Sequence, residues 1–337
     1  MSETSNTRQV AMAIGLLLAP AFAHAASSYK FQTINNNGDA AFNQLLGINT
    51  AGTIAGYFGD GATVPNNGYT VTPPYGQGNF TAENFTGAAQ TQVIGINNSN
   101  VTVGFYADAV GDNFGFVKNG ATFTTVSNPS TPTTSPFVNQ LLGVNDHNVS
   151  AGFYVDSTGT AHAYLYNIGT ASFTAINPTG ATASTATGVN NAGNVSGFLT
   201  LGNGNTEGFF YNGTNFTEFE APGSTNTMFF GLNNNGLVVG TYVDANGLTN
   251  GIVYDVNNGT WWTVDAPNVA ANTTFNVNGT FINGINDAGS LVGFYSNSTA
   301  VNGFLATVTP EPSSVGLVGF AVVLGAGVFR RLKVRKA

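Results

Sequence analysis

The sequence predicts an all-β fold, namely a six-bladed β-propeller-like domain closed by an N-terminal strand. A Gly-(Ile/Val/Leu)-Asn triplet recurs six times at intervals of 43 to 53 residues. Each unit contains short segments typical of β-strands, and four short strands per unit at this period indicate a propeller blade. A β-solenoid or roll is the alternative that the repeats leave open. The triplets begin at Gly47, Gly95, Gly143, Gly188, Gly231 and Gly284.

Two glycines frame a predicted hairpin turn in every unit. The second glycine always follows nine residues after the first. Asparagine opens the turn, and glycine or asparagine stands three residues later, where a left-handed backbone is needed. This pattern predicts a three-residue hairpin loop between the first two strands. The opening residues are Asn49, Asn97, Asn145, Asn190, Asn233 and Asn286, and the left-handed ones are Gly52, Asn100, Asn148, Gly193, Gly236 and Gly289.

The outermost strand of each unit is predicted from aromatic residues and threonine. The sixth unit ends after its third strand, at Thr309, and the strand it lacks is predicted before the first unit, at Tyr29 to Ile34. An N-terminal strand that completes the last blade would close the ring and remove its free edges. The other predicted outer strands are Asn79 to Phe85, Thr122 to Val126, Ser172 to Ile176, Asn215 to Phe219 and Thr260 to Val264.

Composition favours strands over helices and restricts the class of partner. Only 7% of the residues are charged, whereas the chain has 44 glycines, 26 phenylalanines and 12 tyrosines. This mixture suits short strands and tight turns. Residues 26–309 contain fourteen acidic residues and only two basic ones, Lys30 and Lys118. Such a surface repels phosphate backbones, which argues against nucleic-acid binding. The absence of cysteine excludes disulfides and thiol-ligated metals.

Residues 1–25 are predicted to be a secretory signal peptide. An apolar run at residues 10–19 follows Arg8 and leads to the small-residue motif Ala23-His24-Ala25, so cleavage is expected before Ala26. The run is shorter than the roughly 20 apolar residues that span a bilayer. The body, residues 26–309, is therefore expected outside the cytoplasm.

Residues 310–337 have the features of a C-terminal sorting signal. Pro310, Glu311 and Pro312 precede an uncharged, mostly apolar run at residues 315–329, and a basic cluster begins with Arg330 and Arg331. As a helix, the run would rise about 22 Å, less than the roughly 30 Å of a hydrocarbon core. An ordinary C-terminal membrane anchor, with its basic end in the cytoplasm, is the alternative.

Both the tail and the body resemble known families. Pro310-Glu311-Pro312, the short apolar run and the basic cluster together resemble the PEP-CTERM sorting signal of Gram-negative bacteria. That resemblance implies processing by a membrane-embedded exosortase, membrane contact only through the tail before processing, and delivery to the surface or extracellular matrix of exopolysaccharide-producing cells. The units at residues 29–309 resemble HAF-type extracellular repeats, most closely at His162-Ala163-Tyr164. This second resemblance implies an exported repeat protein and no particular activity.

Four aspartates at equivalent positions form a candidate rim. Asp60, Asp108, Asp156 and Asp244 stand thirteen residues after the start of their units, and the last three open Asp-x-x-Gly turns. One hypothesis is an acidic rim that takes up Ca²⁺ weakly or meets hydroxyl-rich glycan, since hard carboxylate oxygens suit this cation. The alternative, that each aspartate caps its own turn, explains the aspartate and the glycine together. The sequence assigns no catalytic residue and no other metal site or cofactor.

Three classes of function are compatible with these features. The leading hypothesis is a non-enzymatic surface or matrix protein with a structural or interaction role associated with exopolysaccharide. The alternative is a lectin-like glycan-binding module. The third is a polysaccharide-cleaving enzyme, which would need an acid and a base together in the central funnel. The expected partners are the exosortase-type processing enzyme and an extracellular polysaccharide.

The sorting interpretation predicts the mass of the exported protein. The mature chain should begin near Ala26 and should lack the segment after Pro312, because both terminal segments are processing signals. Intact-mass measurement of protein recovered outside the cytoplasm checks this expectation. A species that retains Arg330 to Ala337 outside the cytoplasm would contradict it.

Overall fold

The computed structural model describes residues 28–309, in which six antiparallel sheets of four strands surround one axis. The first strand of each sheet lies innermost, and hydrogen bonds join these strands' ends from sheet to sheet in a closed ring. The chain is therefore a six-bladed β-propeller, as the repeat period predicts. Within residues 28–309, no helix has the length and apolar character that crossing a membrane requires. The predicted processing residues Ala23, Ala25 and Ala26, and those from Pro310 onward, lie outside the described residues.

The strands follow the chain order within each blade, from the axis outward. Blades 1 to 3 consist of β2 (Asn43–Ile48), β3 (Ile54–Phe58), β4 (Asn67–Val71) and β5 (Phe80–Ala82); β6 (Gln90–Ile96), β7 (Thr102–Ala107), β8 (Asn113–Asn119) and β9 (Thr122–Val126); and β10 (Asn139–Val144), β11 (Val149–Val155), β12 (Ala161–Asn167) and β13 (Ser172–Ala175). A 3₁₀ helix at Gln77–Asn79 precedes β5.

Blades 4 and 5 repeat this order, and blade 6 takes its outer strand from the N-terminus. Their strands are β14 (Ala181–Val189), β15 (Val195–Leu201), β16 (Thr206–Tyr211) and β17 (Phe216–Phe219); β18 (Thr227–Leu232), β19 (Leu237–Val243), β20 (Thr249–Asp255) and β21 (Thr260–Thr263); and β22 (Thr280–Ile285), β23 (Leu291–Ser296), β24 (Val301–Val308) and β1 (Tyr29–Thr33).

Strand β1 closes the ring and confirms the predicted N-terminal closure. It pairs antiparallel with β24 in a register that places Phe31 opposite Ala306. The Phe31 ring packs 5.2 Å from the ring of Phe304. Next to β1, the amide of Thr309 donates to the carbonyl of Ser28 at 2.8 Å, so the two ends of the described chain lie side by side. The last blade therefore has the same four strands as the others.

Each repeat glycine lies where innermost strands approach one another too closely for a side chain. A β-bulge interrupts the pairing of the first two strands at this glycine, for example between Leu141 and Gly143. A methyl group added to Gly143 would lie 2.5 Å from the carbonyl oxygen of Thr187 and 3.0 Å from the Cα of Gly188. Equivalent close approaches surround the axis, so the glycine of every triplet is a packing requirement.

The triplet asparagines join the six blades in a ring. Each Nδ2 donates to the backbone carbonyl of the equivalent asparagine in the next blade, at 2.8 to 3.2 Å. The Oδ1 atom of the same residue accepts amides of its own turn; Asn97 Oδ1, for example, accepts from Ser99 and Val101. The predicted left-handed turn residues are confirmed, with φ of 58° at Asn100 and 82° at Gly52. Each of the six triplet asparagines is buried.

The apolar core lies between neighbouring blades. One cluster joins Val239 and Val253 of blade 5 to Ile282, Leu291 and Phe304 of blade 6, all fully buried. On the outer strand β21, the two adjacent tryptophans divide between two such clusters, Trp261 with blade 4 and 5 residues and Trp262 with blade 5 and 6 residues. These contacts agree with the strand alternation that sends neighbouring side chains to opposite faces.

The closure of blade 6 predicts the stability of a truncated chain. Deletion of Ala26 to Asn35 should lower the melting temperature by about 5 °C or more, because it removes the pairing with β24 and exposes the edge that Ile34, only 3% exposed, helps to cover. Thermal unfolding followed by circular dichroism measures the effect. An unchanged, cooperative melting curve would mean that the end strand contributes only locally, as in an open solenoid.

Candidate functional site

A channel runs along the propeller axis and is wide at one face. The innermost strands all run from this wide face to the narrow one, as shown by Gln44 and Leu46 at the wide end of β2 and Asn49 at the narrow end. The wide cavity has a volume of about 370 Å³, and the narrow end holds about 90 Å³. Small-molecule sites in proteins typically have volumes of about 300 to 1,000 Å³. The wide cavity is therefore the candidate site, and it is called the funnel below.

Aromatic rings and side-chain amides line the funnel together. The second strands of blades 2 to 4 contribute phenylalanine directly after the second repeat glycine, and the innermost strands contribute glutamine in blades 1 to 3. These two sets are half-buried and are open to a ligand. The lining residues are Gln44, Leu46, Gln92, Ile94, Phe105, Gln140, Leu142, Phe153, Thr185, Thr187, Phe198, Phe230 and Asn283.

One amide at the funnel floor has an unused acceptor. Asn283 stands in β22 directly before the triplet glycine Gly284. It lines both the funnel and the neck, which is the narrower part of the channel lined by the six triplet glycines. Its Oδ1 atom is buried and has no hydrogen-bond donor among the residues that the structure describes. A buried acceptor of this kind costs free energy unless water or a ligand supplies a donor. Asn283 therefore adds a polar amide to the floor of the funnel.

The funnel is electrically neutral. Among its described lining residues there is no aspartate, glutamate, histidine, lysine or arginine. Burial raises the pKa of the Tyr57 phenol above its ordinary value, so this group stays protonated and donates to Gln44 Oε1 at 2.8 Å. The lining therefore offers neutral hydrogen-bonding groups beside flat apolar surfaces.

The narrow end is polar and is already internally paired. Asp146 Oδ2 accepts from the side-chain amides of Asn98 and Asn191, and Asp287 Oδ2 accepts from Asn234. Burial acts to raise the pKa of Asp146, but the hydrogen bonds from Asn191 and Asn98 outweigh it and the net shift is downward. These contacts extend the asparagine ring at the narrow face.

The rim aspartates lie at the wide face and cap their own turns. Asp60 Oδ1 accepts the amides of residues 62, 63 and 64, and Asp108 Oδ1 accepts those of residues 110 and 112. Asp156 and Asp244 have the same arrangement, each with amides two and four residues later. Within residues 28–309, no group of three or more histidine, aspartate or glutamate side chains could hold a metal ion. The contacts agree with the capping interpretation, and Ca²⁺ uptake by the rim stays a prediction.

Asp156 has an additional partner that the sequence did not indicate. Its Oδ2 atom lies 2.8 Å from His162 Nε2, and the His162 ring stacks on Tyr154 with centroids 5.1 Å apart. Hydrogen bonds from the Thr158 side chain, from His162 and from the amide of Thr160 lower the pKa of Asp156. The histidine of the best HAF-like triplet therefore contacts a turn aspartate at the wide face.

No model of a known protein family and no curated protein matches the sequence. Similar solved structures include SapL1 lectin in complex with alpha methyl fucoside, at 11% identity over 81% of this chain and 98% of that chain, with a TM-score of 0.46. They also include the fungal Aleuria aurantia lectin, a six-bladed β-propeller, at 12% identity, 85% and 98% coverage and a TM-score of 0.46. A chain of the nidogen/laminin complex has 12% identity, 75% and 85% coverage and a TM-score of 0.41. At these values the likenesses concern architecture and not function.

The two interpretations of the rim aspartates predict different behaviour for a triple variant. Replacing Asp108, Asp156 and Asp244 by Asn keeps an Oδ1 acceptor for each turn and removes three charges, so we expect a modest decrease in melting temperature at pH 7. The lowered pKa values of Asp156 and Asp244 stabilise the native state above about pH 4. That stabilisation is lost as the pH falls through their folded-state values. The variant should therefore lose less stability between pH 5 and pH 2 than the wild type does.

Calorimetric titration with Ca²⁺ tests the other interpretation on the same protein. If Ca²⁺ binding and attachment to matrix are both unchanged in the triple variant, these aspartates only shape turns. If the acid dependence of the melting temperature is also unchanged, the contribution of their carboxylates to the turns is smaller than their contacts imply.

Proposed function

We propose that the protein is a lectin-like glycan-binding module whose binding site is the funnel. The observation that carries the proposal is the lining, in which four phenylalanines surround the same cavity as the amides of Gln44, Gln92, Gln140 and Asn283. Sugars present apolar C–H faces and hydroxyl groups on one small ring. A lining that mixes flat aromatic surface with neutral donors and acceptors complements both.

The same lining favours binding over cleavage. Glycoside hydrolysis ordinarily uses two carboxyl groups on either side of the bond that breaks. The described residues of the funnel supply amides, hydroxyls and apolar side chains, and Asp156 and Asp244 are engaged in turns. Recognition of a glycan is therefore the function that this geometry supports best. Within residues 28–309, no specific contact favours the polysaccharide-cleaving alternative.

The cellular setting remains part of the proposal. The predicted signal peptide and the PEP-CTERM-like tail, which begins at Pro310, support export to the surface or extracellular matrix. In that setting the glycan would be an exopolysaccharide, and the structural matrix role would follow from binding it. Exosortase processing is supported by the sequence of the tail alone.

Binding of the full chain to an array of oligosaccharides tests the proposal. Phe153→Ala should weaken binding of any retained glycan about five-fold, because the loss of one stacking surface costs about 1 kcal/mol. The matched control is Phe216→Ala, which removes an equally half-buried ring from the outer strand β17. Its effect on affinity should be small even where its effect on melting temperature is larger.

Two results would contradict the proposal. One is the absence of binding to every glycan on the array by the wild-type protein. The other is glycan binding that responds equally to Phe153→Ala and Phe216→Ala, since this would locate the site outside the funnel or reflect stability alone.

A further inference from the structure

Two neighbouring blade junctions carry the same pair of amides beside the funnel. Asn66 and Asn113 hold equivalent positions, two residues before the third-strand glycine of blades 1 and 2. Each accepts from the funnel glutamine of the next blade: Gln92 Nε2 donates to Asn66 Oδ1 at 2.7 Å, and Gln140 Nε2 donates to Asn113 Oδ1 at 3.1 Å. The equivalent residues at the other junctions are Ala161, Thr206, Thr249 and Val301.

Backbone carbonyls fix the orientation of both pairs. Asn66 Nδ2 donates to the carbonyl of Gly59 at 2.6 Å, and Asn113 Nδ2 donates to the carbonyl of Gly111 at 2.8 Å. A carbonyl oxygen only accepts, so the amide nitrogen of each asparagine must face it and the oxygen must face the glutamine. Each glutamine then presents Nε2 to the asparagine, which leaves its Oε1 for the funnel.

The third glutamine has the opposite polarity. Gln44 Oε1 accepts from the protonated Tyr57 hydroxyl at 2.8 Å, which leaves its Nε2 donor for the funnel. Three adjacent blades therefore present one amide nitrogen and two amide oxygens to the funnel. The side-chain carbonyls of Gln92 and Gln140 are thus held toward the funnel by their asparagine partners.

Among the residues that the structure describes, no cation compensates these acceptors. Lys118 is 3.2 Å from the carboxylate of Glu83, and Lys30 stands in the outermost strand of blade 6. His162 is paired with Asp156, and His147 lies in a narrow-face turn. An anionic group in the funnel would face carbonyl oxygens without an ion-pair partner, which is unfavourable when it has lost its water.

We infer that the funnel selects neutral, hydroxyl-rich sugars and rejects uronic acids, and that Asn66 and Asn113 set this selectivity by orienting Gln92 and Gln140. Sugar hydroxyls donate to the two glutamine carbonyls, whereas a carboxylate has no hydrogen to donate and is repelled. The inference rests on the proposed function. It adds the chemical class of the ligand and names two positioning residues that do not themselves touch it.

Paired oligosaccharides test the inference on the full chain. The probes are chains of galactose and galacturonic acid, and of glucose and glucuronic acid, which differ at C6 in a hydroxymethyl or a carboxylate. The wild type should bind a neutral probe about ten-fold or more tightly than its acidic partner. In the double variant Asn66→Leu and Asn113→Leu the glutamine amides can turn, so neutral binding falls about five-fold and the preference for neutral probes shrinks.

The control and a second variant separate selectivity from folding. Thr206→Val alters the equivalent position at a junction where the next blade has Met228 in place of the funnel glutamine. This variant should leave the ratio of neutral-probe to acidic-probe affinity unchanged. Gln92→Met with Gln140→Met removes both carbonyls and leaves the asparagines in place. It should reduce the ratio as well, so a folding defect in the asparagine variant does not decide the result.

Failure of the inference is distinguishable from failure of the proposed function. Equal or tighter binding of the acidic probe by the wild type overturns the inference alone. A ratio that both double variants leave unchanged does the same. A wild-type protein that binds no probe of either kind overturns the proposed function, and the inference falls with it.

Discussion

Closure of six blades around one axis is the constraint on which the rest of the structure depends. At the narrow face, the side-chain oxygen of each triplet asparagine accepts amides of its own hairpin turn, and its side-chain nitrogen donates to a carbonyl of the neighbouring blade. The six interblade bonds form a closed circuit, so the loss of one amide leaves a buried carbonyl without its donor. The glycines two residues before these asparagines permit this circuit, because any side chain at Gly143 or its equivalents would hold the blades apart.

The six blades contribute equivalent residues to the neck but different residues to the wide end. The glycine and asparagine of every innermost strand are fixed by closure, whereas the residues three positions before the glycine are not. Gln44, Gln92 and Gln140 occupy these positions in blades 1 to 3, and Met228 and Phe281 do so in blades 5 and 6. The funnel therefore has a polar side on a scaffold that is nearly six-fold. A directional ligand such as a sugar can be oriented by such a lining.

Much of the fold could be predicted from local chemistry, and much of the site could not. Turn residues such as Asn100 and the period of the strands follow from backbone preferences that act within a few residues. The second role of Asn97, the donor to the next blade, depends on a contact 48 residues away and has no local signal. Gln92 and Gln140 recur at the same spacing and could have been noticed, but their orientation depends on Asn66 and Asn113 across blade junctions. The aspartates of the rim were visible because turn chemistry is local.

The position of the chain ends gives the funnel a direction. Ser28 and Thr309 meet beside β1, and Val308 approaches Gly289 in a narrow-face turn. Both ends of the described chain therefore lie on the face opposite the wide opening. A carrier, a bead or a second domain joined through either end is attached at the narrow face, so the wide opening of the funnel faces the medium. Immobilised in this way, the molecule could serve as an oriented capture surface without any change to its loops.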